Sequence, residues 1–194
     1  MRAPFKPGRS GVVKVNLDGQ ERGVLVQLLN QLDDLLDDGL EASLDPLAAM
    51  VGLSGIEPSP ESDQPTEPDD PALARLLPEG NRDDPEVSAE YRRLTEFGLR
   101  ARKRSGARLA AEALGRKEPV VLTAEEALAL MKALTDVRLV LGERLELRTD
   151  DDAERLHDRL WANDGTEFWL ATASVYELLT AWQEYLIAAV AKKR

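Results

Sequence analysis

A chain of 194 residues in which 43% are hydrophobic can bury one core, and because aromatic residues make up only 5%, that core must be mostly aliphatic. The absence of cysteine and the single histidine, His157, exclude disulfides, thiolate chemistry and a histidine-rich metal centre. The formal net charge is −11, and no apolar stretch approaches the roughly 20 residues of a membrane span. With no apolar leader at the start, we expect a soluble, cytoplasmic protein with no membrane partner.

The N-terminal residues predict a small β element followed by a helix. Residues 12–17 are β-branched and partly alternating, as in a short strand, and Phe5 suits a preceding strand. Asp18 and Glu21 form a capping box, and leucines at three- and four-residue spacing follow as far as Leu36. We expect this helix to stop at Gly39.

Charge is segregated in the middle of the chain. Residues 33–86 carry 16 acidic and 2 basic side chains, whereas residues 87–117 carry 9 basic and 3 acidic ones. Residues 55–70 are so rich in proline and carboxylates that they cannot offset chain entropy by burying apolar surface, so we predict a disordered acidic loop. The loop is either a solvated linker or an electrostatic shield that competes with nucleic acid for the basic segment.

Prolines mark the starts of the next helices. Short helices are predicted over residues 46–53 and 71–77, and a long helix begins after Asp84-Pro85. This long helix ends near Lys103 or continues to Leu114. Its apolar side, which we expect to be buried, consists of Val87, Tyr91, Leu94, Phe97 and Ala101.

The C-terminal third of the chain predicts one short strand and two further main helices. Residues 120–122 suit a strand that pairs with residues 12–17, and Thr123 caps the helix that follows. A brief helix over residues 152–161 precedes the last helix, which Thr166 caps. The apolar face of that last helix includes Phe168, Trp169 and Trp182.

Together these elements predict one all-α, mainly helical domain over residues 1–194. About four main helices pack antiparallel, accompanied by short helices and the minor N-terminal β element. The acidic loop at 55–70 is inserted within this domain.

No motif predicts an enzyme or a bound cofactor. The sequence has no phosphate-binding glycine loop, and no carboxylate pair stands out for acid–base work. Glu154 and His157 have the spacing of two metal ligands on one helix face, but a di-iron bundle needs two such pairs. We therefore interpret His157 as a surface histidine beside Asp158 and expect no metal site.

The basic segment is the feature with functional promise. Arg93, Arg100 and Arg104 share a helix face turned away from the apolar side, so we expect them to face solvent. A stripe of cations of this kind can bind the phosphates of a nucleic acid. The nucleic-acid-binding candidates are Arg100, Arg102, Lys103, Arg104 and Arg108. The alternative is that these cations stabilise the negative end of their own helix dipole and pair with the acidic side chains of residues 33–86.

Four stretches of the chain resemble the actinobacterial domain-of-unknown-function family DUF2017. They are residues 70–78, residues 90–95 with Lys103 beyond, residues 134–142 and residues 175–186. The resemblance covers nearly the whole chain except the insert at 55–69. It implies no catalytic residues, because none can be carried over from the family. Some members are described as transcriptional regulators, and their genes often lie beside the gene of a Clp protease adaptor.

The family motifs also suggest ion pairs that fix the register of two helices. Glu90, Arg92 and Arg93 on the long helix lie within reach of Asp136 and Arg138 on the next one. These residues are therefore structural candidates rather than DNA contacts.

Two functions remain open. One is a non-enzymatic transcriptional regulator that contacts DNA or a transcription-related protein through the basic helix, as a homodimer. The other is a protein-interaction adaptor, linked to Clp proteolysis, that uses a helical face and the acidic segment.

Overall fold

The computed structural model describes residues 3–37, 68–78, 80 and 84–192, apart from the side chains of Pro85 and Arg93. The helix predicted over 46–53 and all but the last three residues of the acidic loop at 55–70 lie outside the described residues. The first helix ends at Leu36, with Asp37 already extended, before the predicted stop at Gly39. The described part is mainly helical with a small antiparallel sheet, as the sequence predicts.

The described elements follow the predicted order. They are β1 (Phe5–Pro7), β2 (Val13–Val15), α1 (Gly19–Leu36), α2 (Pro71–Leu76), α3 (Pro85–Leu114), β3 (Val121–Leu122), α4 (Ala124–Arg144), α5 (Asp150–Ala162) and α6 (Glu167–Ala191). Of the two ends predicted for the long helix α3, the structure has the later one, at Leu114.

Side-chain caps set the helix starts. Asp18 accepts hydrogen bonds from the backbone N–H groups of Gln20 and Glu21, and the Glu21 carboxylate accepts one in return from the Asp18 N–H at 2.8 Å. Thr123 and Glu126 make the same reciprocal pair, so the predicted capping box at Asp18 and the predicted cap at Thr123 are both confirmed. A third capping box, at Thr149, starts α5 at Asp150, two residues before the predicted helix.

The three strands form a sheet in the order β1-β2-β3, with both pairs antiparallel. Val13 lies at its centre, opposite Pro7 on one side and Leu122 on the other. Phe5, Val13 and Leu122 are buried because β1 and β2 pack on α6 and β3 packs on α4. The sheet therefore closes one side of the helical core.

The main helices pack antiparallel. Arg22, early in α1, donates to the Leu114 carbonyl at the end of α3, while the carboxylate of Asp33, late in α1, meets Arg104 in the middle of α3. The same reversal relates α3 to α4 and α4 to α6. Fully buried leucines fill the space between these helices: Leu25, Leu29, Leu36, Leu114, Leu130, Leu134, Leu179 and Leu186.

Helix α5 packs on a separate, smaller cluster. Its buried Leu156 contacts Leu145 and Ala173, with Trp169 and Tyr176 at the margin. None of the helices in the described part of the chain is long and apolar enough to cross a membrane.

Glu126 links the start of α4 to the turn before β3, and we expect its contribution to stability to depend on pH. Arg116 donates to its carboxylate at 2.5 Å and the Thr123 N–H donates at 2.8 Å, and these bonds lower the pKa of Glu126. A lowered pKa in the folded state stabilises the protein above the ordinary glutamate pKa of about 4.3, and the effect is lost as the pH falls.

Denaturant unfolding of the wild type and of Glu126→Gln measures this effect. Glutamine still suits the capping position, so the variant removes mainly the charge. We expect the wild type to be more stable at pH 7 and the difference between the two proteins to be smaller at pH 3. A difference that is the same at both pH values would show that the carboxylate charge does not stabilise the fold.

Candidate functional site

The cations of α3 predicted to face solvent are instead paired with the end of α1. Arg104 is only 4% exposed, and its guanidinium donates to Asp33 at 2.9 Å and to Asp37 at 2.7 Å. Arg108 donates to the second oxygen of Asp33 at 2.9 Å. The Arg100 guanidinium donates to the Leu36 carbonyl, so its positive charge lies at the negative end of the α1 dipole, where a cation is stabilising.

The other nucleic-acid candidates divide into one paired and one exposed cation. Lys103 donates to Asp136 on α4 at 2.5 Å. Arg102 is exposed and makes no ion pair within the described part of the chain. Contact between α3 and DNA stays a prediction, and for Arg100, Lys103, Arg104 and Arg108 it would require existing contacts to open.

The predicted pairing between α3 and α4 exists, but Lys103 is the cation that meets Asp136. Arg92 instead lies 3.9 Å from Glu96 on its own helix, and the Arg93 side chain lies outside the described residues. Glu90 is exposed. The sequence alone does not identify Lys103, because it does not give the register between α3 and α4.

Arg138 turns away from α3 and joins α4 to α6. Its guanidinium donates to the Gln183 side chain at 2.6 Å and lies over the Tyr176 ring, 5.3 Å from the centroid. Gln183 in turn donates to the Thr135 hydroxyl at 2.6 Å. Arg138 is thus a structural residue, as expected, but with partners other than the predicted ones.

The N-terminal half of α3 therefore has the opposite orientation to the one predicted. Val87, Tyr91 and Leu94 are 50%, 49% and 65% exposed, although they belong to the side that the sequence predicts to be buried. The side turned inward is polar and charged, and it contains Ser88, Arg92, Glu96, Arg100, Lys103 and Arg104. The prediction of a buried apolar side is therefore wrong for Val87, Tyr91 and Leu94, whereas Phe97 and Ala101 are half-buried. The prediction of a solvated basic side is wrong for Arg100 and Arg104.

The physical reason is the chemistry of the neighbouring helices. The end of α1 presents Asp33 and Asp37 together with the Leu36 carbonyl, which accepts a hydrogen bond from Arg100. Arginine facing these groups forms charge-assisted hydrogen bonds that an apolar side chain would leave unmade. Periodicity finds the two sides of a helix, but it does not show which side meets a charged neighbour.

A second unusual surface lies where α5 turns into α6. Trp161 and Phe168 are each 80% exposed and lie within one turn of the connection 163–166, and we call these two residues the aromatic end. The Trp161 indole N–H donates to the His157 ring at 2.9 Å, with the two rings edge to face. The indole is therefore held in one orientation while its faces remain in water.

Acidic side chains lead to the aromatic end along α5. Asp151, Glu154 and Asp158 are exposed and precede Trp161 at spacings of three and four residues, which places all four on one helix face. We call these three carboxylates the acidic stripe. The buried Leu156 lies on the opposite face. Asp164 and Glu167, which flank the turn, are also exposed.

The cations near the acidic stripe are already engaged. Arg155 pairs with Asp152, and the Arg159 guanidinium lies 4.0 Å from the centroid of the Trp169 ring. The pKa of Asp152 is held far below its usual range, first by the backbone N–H of Arg148 and then by Arg155. Asp152 therefore serves the helix cap, whereas the acidic stripe faces solvent without a cation among the described residues.

A cavity of about 550 Å³ lies between the sheet, the start of α1 and α6. Its charged side chains have structural partners, since Asp18 and Glu21 cap α1 and Arg22 donates to the Leu114 and Arg116 carbonyls and to the Glu118 carboxylate, although the buried Nε of Arg22 has no partner among the described residues. The buried Trp182 forms part of its wall, as the sequence predicts for a core residue.

The sequence reading missed the aromatic end. It assigned Phe168 to the buried face of the last helix, and the structure corrects this because α5 covers Trp169 rather than Phe168. The available clue was an aromatic residue on each side of Asn163-Asp164-Gly165, which is a helix stop.

Comparison with known proteins gives one match. The family model described as domain of unknown function DUF2017 matches residues 1–190, which confirms the family indicated by the sequence motifs. No curated protein and no solved structure matches the chain.

Proposed function

The chain therefore belongs to the DUF2017 family, whose function is unknown, and we propose that it is a non-enzymatic protein-interaction adaptor. Its partner is a basic segment of another protein that also carries a bulky apolar side chain. The observation that carries the proposal is the pair of aromatic side chains, each 80% exposed, at the end of the acidic stripe.

Exposed aromatic side chains contribute strongly to protein interfaces. Tryptophan is enriched among the residues that dominate binding energy, and it binds both apolar groups and cations on its ring face. The hydrogen bond to His157 fixes the Trp161 indole before a partner arrives. Less conformational entropy is then lost on binding.

The charge of this surface selects the partner. Residues 150–167 contain seven carboxylates and two arginines, and both arginines have partners within the described chain. Lysine or arginine at three- and four-residue spacing on a partner helix would meet the acidic stripe. A partner from the transcription machinery or from Clp proteolysis, as the family resemblance suggests, would have to carry such a basic segment.

A displayed library of random peptides tests the proposal with the full chain as bait. We expect the selected peptides to be rich in lysine and arginine and to contain a large apolar residue, and their binding to weaken with salt. For one selected peptide, Trp161→Ala should weaken binding about 30-fold, which corresponds to about 2 kcal/mol for an interface hot spot. Unchanged affinity in a folded Trp161→Ala variant would contradict the proposal.

A charge-matched control separates the acidic stripe from net charge. The pair Glu154→Gln and Asp158→Asn should weaken binding of the same peptide, whereas Glu177→Gln with Glu184→Gln on α6 should not. Equal effects of the two pairs would mean that only net charge matters. A labelled DNA duplex is the competing probe, and DNA binding that is lost in Arg102→Ala would favour a DNA-binding regulator instead.

A further inference from the structure

The outward side of α3 carries a regular pattern that the proposed adaptor surface does not use. Six residues follow one another at spacings of 4, 3, 4, 3 and 4, and we call them the outer seam: Val87, Tyr91, Leu94, Gly98, Ala101 and Ser105. This is the spacing of the contact positions of a coiled coil. The outer seam is about 27 Å long at 1.5 Å per residue.

The described residues leave four of the six outer-seam residues exposed, while Gly98 and Ala101 are half-buried. Val87, Tyr91 and Leu94 are 50%, 49% and 65% exposed, and among the described residues a Cβ added at Gly98 would meet only the end of the Arg102 side chain, at 3.6 Å. Gly80 packs against the Tyr91 ring, where an added Cβ would lie 2.3 Å from a ring carbon. The ring is thus supported from one side and open on the other.

Bulk is distributed unequally along the outer seam, and this identifies the occupant. The first three residues are large (Val87, Tyr91 and Leu94), and the last three are small (Gly98, Ala101 and Ser105). In an antiparallel pair of identical helices, Val87 lies opposite Ser105, Tyr91 opposite Ala101 and Leu94 opposite Gly98. Every layer then combines a large side chain with a small one, as close helix packing requires.

A parallel pair does not have this property. It would place Leu94 against Leu94 and Gly98 against Gly98, so that crowded layers alternate with empty ones at a cost in packing. An unrelated partner helix would not be expected to carry small side chains opposite Val87, Tyr91 and Leu94 and large ones opposite Gly98, Ala101 and Ser105.

We propose that the outer seam binds the outer seam of a second copy of the chain in an antiparallel two-fold arrangement. The interface is isologous, since each copy contributes the same surface. It is separate from the aromatic end, so the dimer would present two adaptor surfaces, and bivalent partners would gain affinity without new contacts.

Sedimentation equilibrium of the full chain tests self-association. We expect a mass twice the 21.4 kDa of the chain, loss of the dimer in Leu94→Glu, and an unchanged dimer in Leu128→Glu, a matched control at a 42% exposed leucine on α4. A monomer at every concentration, or a dimer that survives in Leu94→Glu, would overturn the proposal. Circular dichroism verifies that both variants fold.

Disulfide formation between two variants tests the direction. Positions 87 of the two copies lie about 27 Å apart in the antiparallel arrangement, far beyond the roughly 7 Å limit for a disulfide. Val87→Cys mixed with Ser105→Cys should give the mixed covalent dimer, and Val87→Cys alone should give none under mild oxidation. The chain has no native cysteine to interfere. Ready cross-linking of Val87→Cys with itself would show a parallel pair and contradict the arrangement.

Discussion

Arg104→Ala should lower the free energy of unfolding by about 3 kcal/mol, although the sequence predicts that this face of α3 is exposed to solvent. The Arg104 guanidinium is 4% exposed and donates to Asp33 and Asp37. Removing one partner of a buried ion pair costs about 3–5 kcal/mol because the remaining charge is left unpaired. We expect the lower end, because Arg108 still reaches Asp33 and Asp37 is half exposed.

Arg102→Ala is the matched control for Arg104→Ala. It makes the same change two residues away at an exposed side chain, and it should alter the unfolding free energy by less than about 0.5 kcal/mol. Thermal melting should separate the two variants by about 6–12 °C. Similar melting temperatures would show that Arg104 faces solvent.

Asp136→Ala should lower the unfolding free energy by a similar amount, about 3 kcal/mol, because it leaves the Lys103 ammonium without its carboxylate between α3 and α4. Replacing both partners, with Lys103→Met and Asp136→Leu, should restore stability to within about 1 kcal/mol. An apolar pair of similar volume avoids the desolvation cost of two charges.

A double-mutant cycle measures this coupling by denaturant unfolding. Lys103→Met in the Asp136→Leu background should be much less destabilising than in the wild type. Lys117→Met, at an exposed lysine after α3, should have the same small effect in both backgrounds. Additive effects of the changes at Lys103 and Asp136 would show that the two side chains do not interact.

Most of the described fold is predictable because its determinants are local. The capping residues lie within three positions of the backbone groups they bind, and the leucine stripe of α1 repeats within one helix. The short strands are recognisable from β-branched residues. The start of α3 is also local, since Asp84 caps it and Pro85 suits its first position, whereas the sequence left its end open between Lys103 and Leu114.

The orientation of α3 depends on residues far away in the sequence. Arg104 meets Asp33 and Asp37, which lie 71 and 67 positions earlier. Hydrophobic periodicity alone favours the apolar side of the helix as the interior. The inward side is decided by carboxylates on α1 and α4, which a single sequence does not align with particular arginines.

The candidate surfaces follow from the same non-local packing. Leu94 is available for a partner only because α3 turns its charged side inward. Phe168 is available because α5 packs against Trp169 instead. A sequence contains the residue types of both surfaces, but their exposure is a property of the assembled helices.

The orientation of α3 is the central claim, and thiol accessibility tests it most directly because the chain has no cysteine. Leu94→Cys and Ser88→Cys are compared at concentrations low enough to keep the chain monomeric. The thiol at position 94 should react with a maleimide nearly as fast as in an unfolded peptide, and the thiol at position 88, where serine is 7% exposed, about 100-fold more slowly. Slow modification at position 94 with rapid modification at position 88 would contradict the inward charged side and, with it, the outer seam.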